Sequence, residues 1–325
     1  MNRARMALLA VVTVLGTILA TSASAFASGT VGGPVGKADQ TIYLSLGDSL
    51  SQGVQPLGPS GANVVTDQGY PDQLLAIEAA THQPLNLVKM GCPGEDTTTM
   101  RFGGNPLCTY TTGSQLGDAV QFLTAHRNHM AFVTLDIGGN DLNSCASLGG
   151  PGGITFKPPA CIAAAFGNIK VNLTAILTQL KAADPNVLIV GMNYFNPYLA
   201  VWLRGGFSEI LAQITLGIAD TLSAWLGGIY AAFGVAVADV ASAFSTDAFC
   251  LSDQLIPGSI PCPWWVPFPH PPSNLAPLDV VRICQWTWMC APAPRGPNIH
   301  PNQAGYAVIA TAFAPLIHFG EELQQ

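Results

Sequence analysis

Charge is scarce in this chain: only 10% of its 325 residues are Asp, Glu, Lys or Arg, and the formal net charge is −7. That balance excludes a nucleic-acid partner, which needs a basic footprint on one face. No run of like charge and no internal repeat is present. The chain has no Cys-x-x-Cys pair, and no His stands at ligand spacing beside two cysteines, so no zinc or other metal site is expected. Beyond the N-terminal region no stretch reads as a membrane span. The most apolar one, residues 207–233, carries Glu209 and Asp220, which are costly in lipid, and it reads as a buried helix.

Hydrophobic residues make up 49% of the chain, enough for a large core in one big domain or two small ones. Part of that excess sits at the N-terminus. Arg3 and Arg5 precede an apolar run from Met6, and Ala23-Ser24-Ala25 and Ala25-Phe26-Ala27 each fit small-residue cleavage. Residues 1–27 therefore read as a secretory signal peptide, the competing reading being an uncleaved anchor. Residues 28–40, small and polar, read as a linker, with the folded domain over 41–320.

Export changes how the eight cysteines are read: in an oxidising compartment an even number implies disulfides. Sequence order suggests Cys92 with Cys108 and Cys145 with Cys161, each closing a short loop worth about 3 kcal/mol in the chain-entropy picture.

Apolar strand-like runs alternate with helical patterns. Runs at 41–47, 85–91, 131–139, 186–195 and 234–240 predict five strands. The segments 70–83, 114–129, 161–185, 207–233 and 302–319 predict helices, with Pro71 and Asp72 opening the first and Ser114 capping the second. Alternation of this kind implies a parallel sheet covered on both faces, with ligands at the carboxyl ends of the strands. Residues 250–297 hold four Cys, four Trp and many Pro. They read as a disulfide-stapled excursion over the top of the sheet, or else as a decorative surface loop.

The strand ends carry a shared chemistry. Ser49 follows the first run in Gly47-Asp48-Ser49-Leu50, Gly94 follows the second, Asn140 follows the third in Gly138-Gly139-Asn140-Asp141, and His300 precedes the last helix. Each motif alone reads as a cap or a turn. Together they supply a nucleophile, a base and oxyanion donors: His300 to deprotonate Ser49, and the N–H groups of Ser49 and Gly94 with the Asn140 amide to hold the oxyanion.

These four blocks, in this order, resemble the SGNH or GDSL hydrolases over about residues 41–318. The resemblance implies a flavodoxin-like three-layer αβα sandwich with a five-stranded parallel sheet. It also implies a secreted serine esterase or lipase that needs no metal or organic cofactor and acts on a small-molecule, lipid or glycan ester. Glycan deacetylation or acyl transfer is a rival activity, and a silent secreted binding protein is the non-enzymatic rival. The ordinary Gly-x-Ser-x-Gly elbow is not matched, because Ser51 stands where its last Gly would be. Most family members place Asp three residues before the His; Pro297 stands there. The expected partner of His300 is therefore the Pro297 carbonyl, with Asn298 expected to cap the turn and Asp279 as the carboxylate alternative.

Overall fold

The computed structural model describes residues 41–80, 84–150, 153–246, 248 and 276–318. The expected leader and linker lie outside the described residues, as do residues 250–275 of the expected excursion. The first apolar run forms β1 (Ile42–Gly47), followed by α1 (Tyr70–Ala79), which has Pro71 in its first turn and the Asp72 carboxylate accepting from the Gly69 N–H at 3.0 Å. Next come β2 (Asn86–Lys89), α2 (Thr97–Phe102), α3 (Gln115–Ala125), β3 (Met130–Asp136) and the short α4 (Gly139–Asn143). A hairpin of β4 (Ala146–Leu148) and β5 (Ile154–Phe156) leads to α5 (Pro159–Ala183), β6 (Leu188–Met192), α6 (Phe207–Ala232), β7 (Ala236–Ala238) and α7 (Val240–Ala243). Helices α8 (Leu278–Trp286) and α9 (Gln303–Phe313) follow.

The main sheet has five parallel strands in the order β2-β1-β3-β6-β7. The chain winds one way from β1 to β2 and the other way from β3 to β7, so the order reverses between β1 and β3, where a doubly wound sheet opens its ligand crevice. Successive strand residues feed opposite layers. Tyr43, Phe132 and Val190 pack with α1 and α9 through Leu74, Ile309 and Phe313, while Leu44, Val133 and Ile189 pack with α3, α5 and α6 through Leu123, Leu177 and Leu226. This is the expected three-layer α/β sandwich.

One expectation needs correction. Helix α6 is buried on one face only: Leu216, Leu226 and Tyr230 are covered, whereas Phe207 is 66% and Ile210 51% exposed. Helices α5 and α6 are long and apolar enough to cross a membrane by length and composition, but here each lays its apolar stripe on the sheet. The described part of the excursion is not the decorative surface loop of the alternative reading. It contains α8, with Val280 and Ile283 in the core, and residues 286–288 strap the segment before α9 through Trp288 N–H to His300 C=O, Asn298 N–H to Trp288 C=O and Asn302 N–H to Trp286 C=O. Disulfides join Cys92–Cys108, Cys145–Cys161 and Cys284–Cys290; the first two are the pairs expected from sequence order.

Candidate active site

Ser49 stands in the turn leaving β1, at the crevice. Gly47 makes that turn possible: its φ is +134°, and a Cβ there would lie 2.1 Å from the Asp136 carbonyl oxygen. The peptide of Gly47 is clamped by Gln115, whose side chain accepts from its N–H at 2.7 Å and donates to its C=O at 2.9 Å. Beyond it, the Asp136 Oδ2 accepts from the N–H groups of Asp48 (3.1 Å) and Ser51 (3.3 Å), and its Oδ1 accepts from Tyr70 Oη at 2.7 Å. The Asp48 carboxylate accepts from Leu50 N–H at 2.8 Å and Tyr194 Oη at 3.2 Å. The nucleophile turn is thus held from inside the protein on every side but one.

On the open side, His300 Nε2 lies 3.0 Å from Ser49 Oγ. The partner of its other ring nitrogen is not the expected Pro297 carbonyl. Nδ1 lies 2.7 Å from Asn298 Oδ1, and the same oxygen accepts the His300 backbone N–H at 3.0 Å. The correction has a simple cause. An Asn side chain closing on the N–H two residues ahead is an Asx turn, and that geometry carries Oδ1 under the imidazole of the same residue. A backbone N–H can only donate, so it identifies this Asn298 atom as oxygen; Nδ1 must then bear the proton, leaving Nε2 as the acceptor toward Ser49. Asn298 Nδ2 donates to Asn63 Oδ1 at 2.8 Å, fixing the amide from its far end. Asp279 does not serve as the acid: its Oδ1 accepts from Val280 N–H at the head of α8. His300 is only 8% exposed, and burial lowers its pKa to about 4, so the ring is neutral at ordinary pH.

Gly94 and Asn140 come from the two neighbouring strand ends. Asn140 Nδ2 donates to the Glu95 carbonyl at 2.9 Å, and Asn143 Nδ2 donates to Asn140 Oδ1 at 3.3 Å, which orients the amide and leaves its second N–H uncommitted. Asp141 next to it takes the Thr97 N–H and hydroxyl at 2.9 and 2.6 Å, tying the β3 loop to the head of α2. Gly94 has φ +78°, a conformation that favours glycine, and a Cβ there would meet nothing within 4 Å. The backbone N–H groups of Ser49 and Gly94 have no partner among the described residues. Ser49, Asn140 and His300 line one cavity of about 100 Å³, bounded by Leu142, Phe156, Ile162, Ile218 and Leu222; Gly94 joins this group through Glu95 and does not line the cavity.

Sequence reasoning missed Asp136, Tyr70 and Tyr194. Asp136 carried a signal, a carboxylate ending an otherwise apolar buried strand. The tyrosines carried none, because their hydroxyls reach the turn only through the tertiary fold.

The GDSL-like lipase/acylhydrolase family profile matches residues 45–308. No curated protein sequence matches the chain. Among solved structures, an extracellular lipase from Streptomyces rimosus is similar over 85% of this chain and 97% of its own, at 22% identity and a TM-score of 0.50. A phospholipase A1 from Streptomyces albidoflavus covers 85% of this chain and 98% of its own at 21% identity and TM-score 0.45. An acetylxylan esterase from Geobacillus stearothermophilus covers 87% and 96% at 14% identity and TM-score 0.48. With the profile matching most of its length, and with an α/β sandwich that opens at the end of β1, the chain belongs to the GDSL-like lipase/acylhydrolase family.

Proposed function

We propose that this ester hydrolase is a secreted serine esterase or lipase that cleaves carboxylic esters with apolar acyl chains. The observation that carries the reading is His300 Nε2 at 3.0 Å from Ser49 Oγ, with Nδ1 held by Asn298. In this mechanism His300 takes the Ser49 proton as Oγ attacks the ester carbonyl. The oxyanion forms against the N–H groups of Ser49 and Gly94 and the free N–H of Asn140. His300 then protonates the departing alcohol, and water, deprotonated by the same ring, clears the acyl-enzyme. No step calls on a metal or an organic cofactor. Asn298 fixes ring and tautomer but brings no negative charge to balance the imidazolium. The N-terminal Arg3, Arg5 and apolar run, together with three disulfides among the described residues, support export.

The cavity favours an acyl chain over a sugar. Its walls are mainly aliphatic and aromatic, with Asn143, Asn196 and Thr215 among them, and its volume is well above the roughly 10–15 Å³ that one water needs, so there is room beyond an acetyl group. Hydrolysis of p-nitrophenyl esters of graded length, run beside acetylated xylan, tests the reading. The expected result is a maximum at medium chains, about four to eight carbons, with little release from xylan. Preference for acetyl esters and release from xylan would establish glycan deacetylation instead.

A further inference from the structure

Asp48 and Asp136 are both buried, 3% and 0% exposed, beneath Ser49, and Asp136 Oδ2 accepts the Asp48 backbone N–H at 3.1 Å, which sets the two carboxyl groups side by side. Every titratable side chain that faces the pair is a phenol or is neutral. Tyr70 and Tyr194 donate to it, and Tyr43, Tyr230 and Tyr306 stand near it from β1, α6 and α9. On the open side His300 is neutral through the alkaline range. The nearest cation on the β2 side, Lys89, is engaged by Asp72 at 2.9 Å. No Lys or Arg pairs with either carboxyl among the described residues. Two like charges in contact, buried and without a cation, cannot both persist.

We propose that Asp48 and Asp136 share one proton, and that this proton makes Asp136 the positioning residue of the nucleophile turn. As a neutral acid Asp136 donates its O–H to the Asp48 carboxylate while its oxygens still accept from Asp48 N–H, Ser51 N–H and Tyr70. Loss of the proton sets two negative charges against each other across the turn that carries Ser49, and the Ser49–His300 contact is lost with it. Burial, and for Asp136 also the Asp48 charge, pushes both groups upward, Asp136 well above the ordinary carboxylate range. The shared proton is therefore held through neutral pH and released on the alkaline side.

The activity part of this inference rests on the hydrolase reading; the proton itself does not. D136N carries an amide N–H where the acid O–H stood and has no proton to lose. Wild type is expected to lose kcat reversibly as pH rises, with KM little changed, and D136N is expected to lack that fall or to shift it upward by about one pH unit or more. Infrared spectroscopy of protein labelled with carboxyl-¹³C aspartate reads the proton without any substrate. A protonated aspartate band persisting above about pH 8 in wild type and absent from D136N is the expected result. Identical alkaline limbs in the two proteins would overturn the proposal, as would the absence of that band from wild type. If D136N does not fold, the wild-type band alone decides. A wild type with no esterase activity would sink the hydrolase reading and leave the infrared test standing.

Discussion

Replacing Asn298 by Ala removes what holds the catalytic imidazole. Two hydrogen bonds to His300 go, Oδ1 to the ring Nδ1 at 2.7 Å and Oδ1 to the backbone N–H at 3.0 Å, and so does the Asn63 contact that braces the amide. At about 1 kcal/mol for each of the two neutral bonds to His300, the ring loses roughly 2 kcal/mol of positioning, which corresponds to about a 30-fold fall in rate. In a Ser-His-Asp centre the change of Asp to Asn costs about 10⁴-fold, because the new amide N–H enforces the wrong tautomer. Ala at 298 enforces no tautomer and removes no charge, so the smaller figure applies. The loss belongs in kcat, since Asn298 bonds to His300 and not to substrate. Steady-state hydrolysis of a p-nitrophenyl ester by Asn298→Ala, with folding checked by circular dichroism, measures it. Turnover within about twofold of wild type would refute the assignment, because a fall that small is well under 1 kcal/mol. Asn298→Asp supplies the control: a carboxylate beside Nδ1 should move the acid limb of the pH profile upward.

Three further outcomes follow from the same geometry. Asn140→Ala should lower kcat by about 100-fold or more with KM little changed, as removal of one oxyanion donor does; a change in KM alone would make Asn140 a substrate-binding residue. The acid limb of kcat/KM should lie near pH 4, not at the ordinary histidine value of about 6.5, because burial holds His300 neutral and a protonated ring cannot accept from Ser49; a limb at the ordinary value would contradict the burial of that ring. The same depressed pKa has a stability counterpart. Below the unfolded value the unfolded chain binds a proton that the fold refuses, so folding stability is lost as pH falls toward 4. His300→Gln lacks this term, and denaturant titration should show the stability of wild type relative to the variant rising by about 3 kcal/mol between roughly pH 4 and 6.5.

Strands β1, β3 and β6 were legible because each is a mainly apolar run bounded by turn residues, which is how a strand covered on both faces must read, and the edge strand β2 was legible from its short apolar stretch between two helical patterns. Ser49, Asn140 and His300 were legible because each follows a strand or opens a helix at the crevice. What escaped was short or depended on distant contacts. Helix α2 begins Thr97-Thr98-Thr99, a poor helical sequence, and forms because the Asp96 Oδ1 accepts the N–H groups of Thr98 and Thr99 at 2.9 and 2.7 Å. Helix α8 was hidden by the Cys, Trp and Pro around it, although Val280 and Ile283 hold the spacing of a buried face. The family offset points to Pro297; an Asx turn carries the Asn298 side chain forward to the N–H two residues ahead, and only the folded loop shows that the oxygen capping the turn also meets the ring. The clasp of Asp136 on Asp48 and Ser51 spans 85 to 88 residues and follows from the β1–β3 register, which pairs Gly47 with Asp136.

The central claim is that Ser49 is a nucleophile activated by His300. The most direct measurement is labelling of the folded protein with a fluorophosphonate, followed by peptide mapping by mass spectrometry. Such a probe reacts only with a serine whose proton is being drawn away and whose oxyanion is held. The account predicts one adduct, on the peptide containing Ser49, formed by wild type, slowed in Asn298→Ala and absent from Ser49→Ala and His300→Gln. An adduct on another serine, or none on wild type that retains its fold, would contradict it.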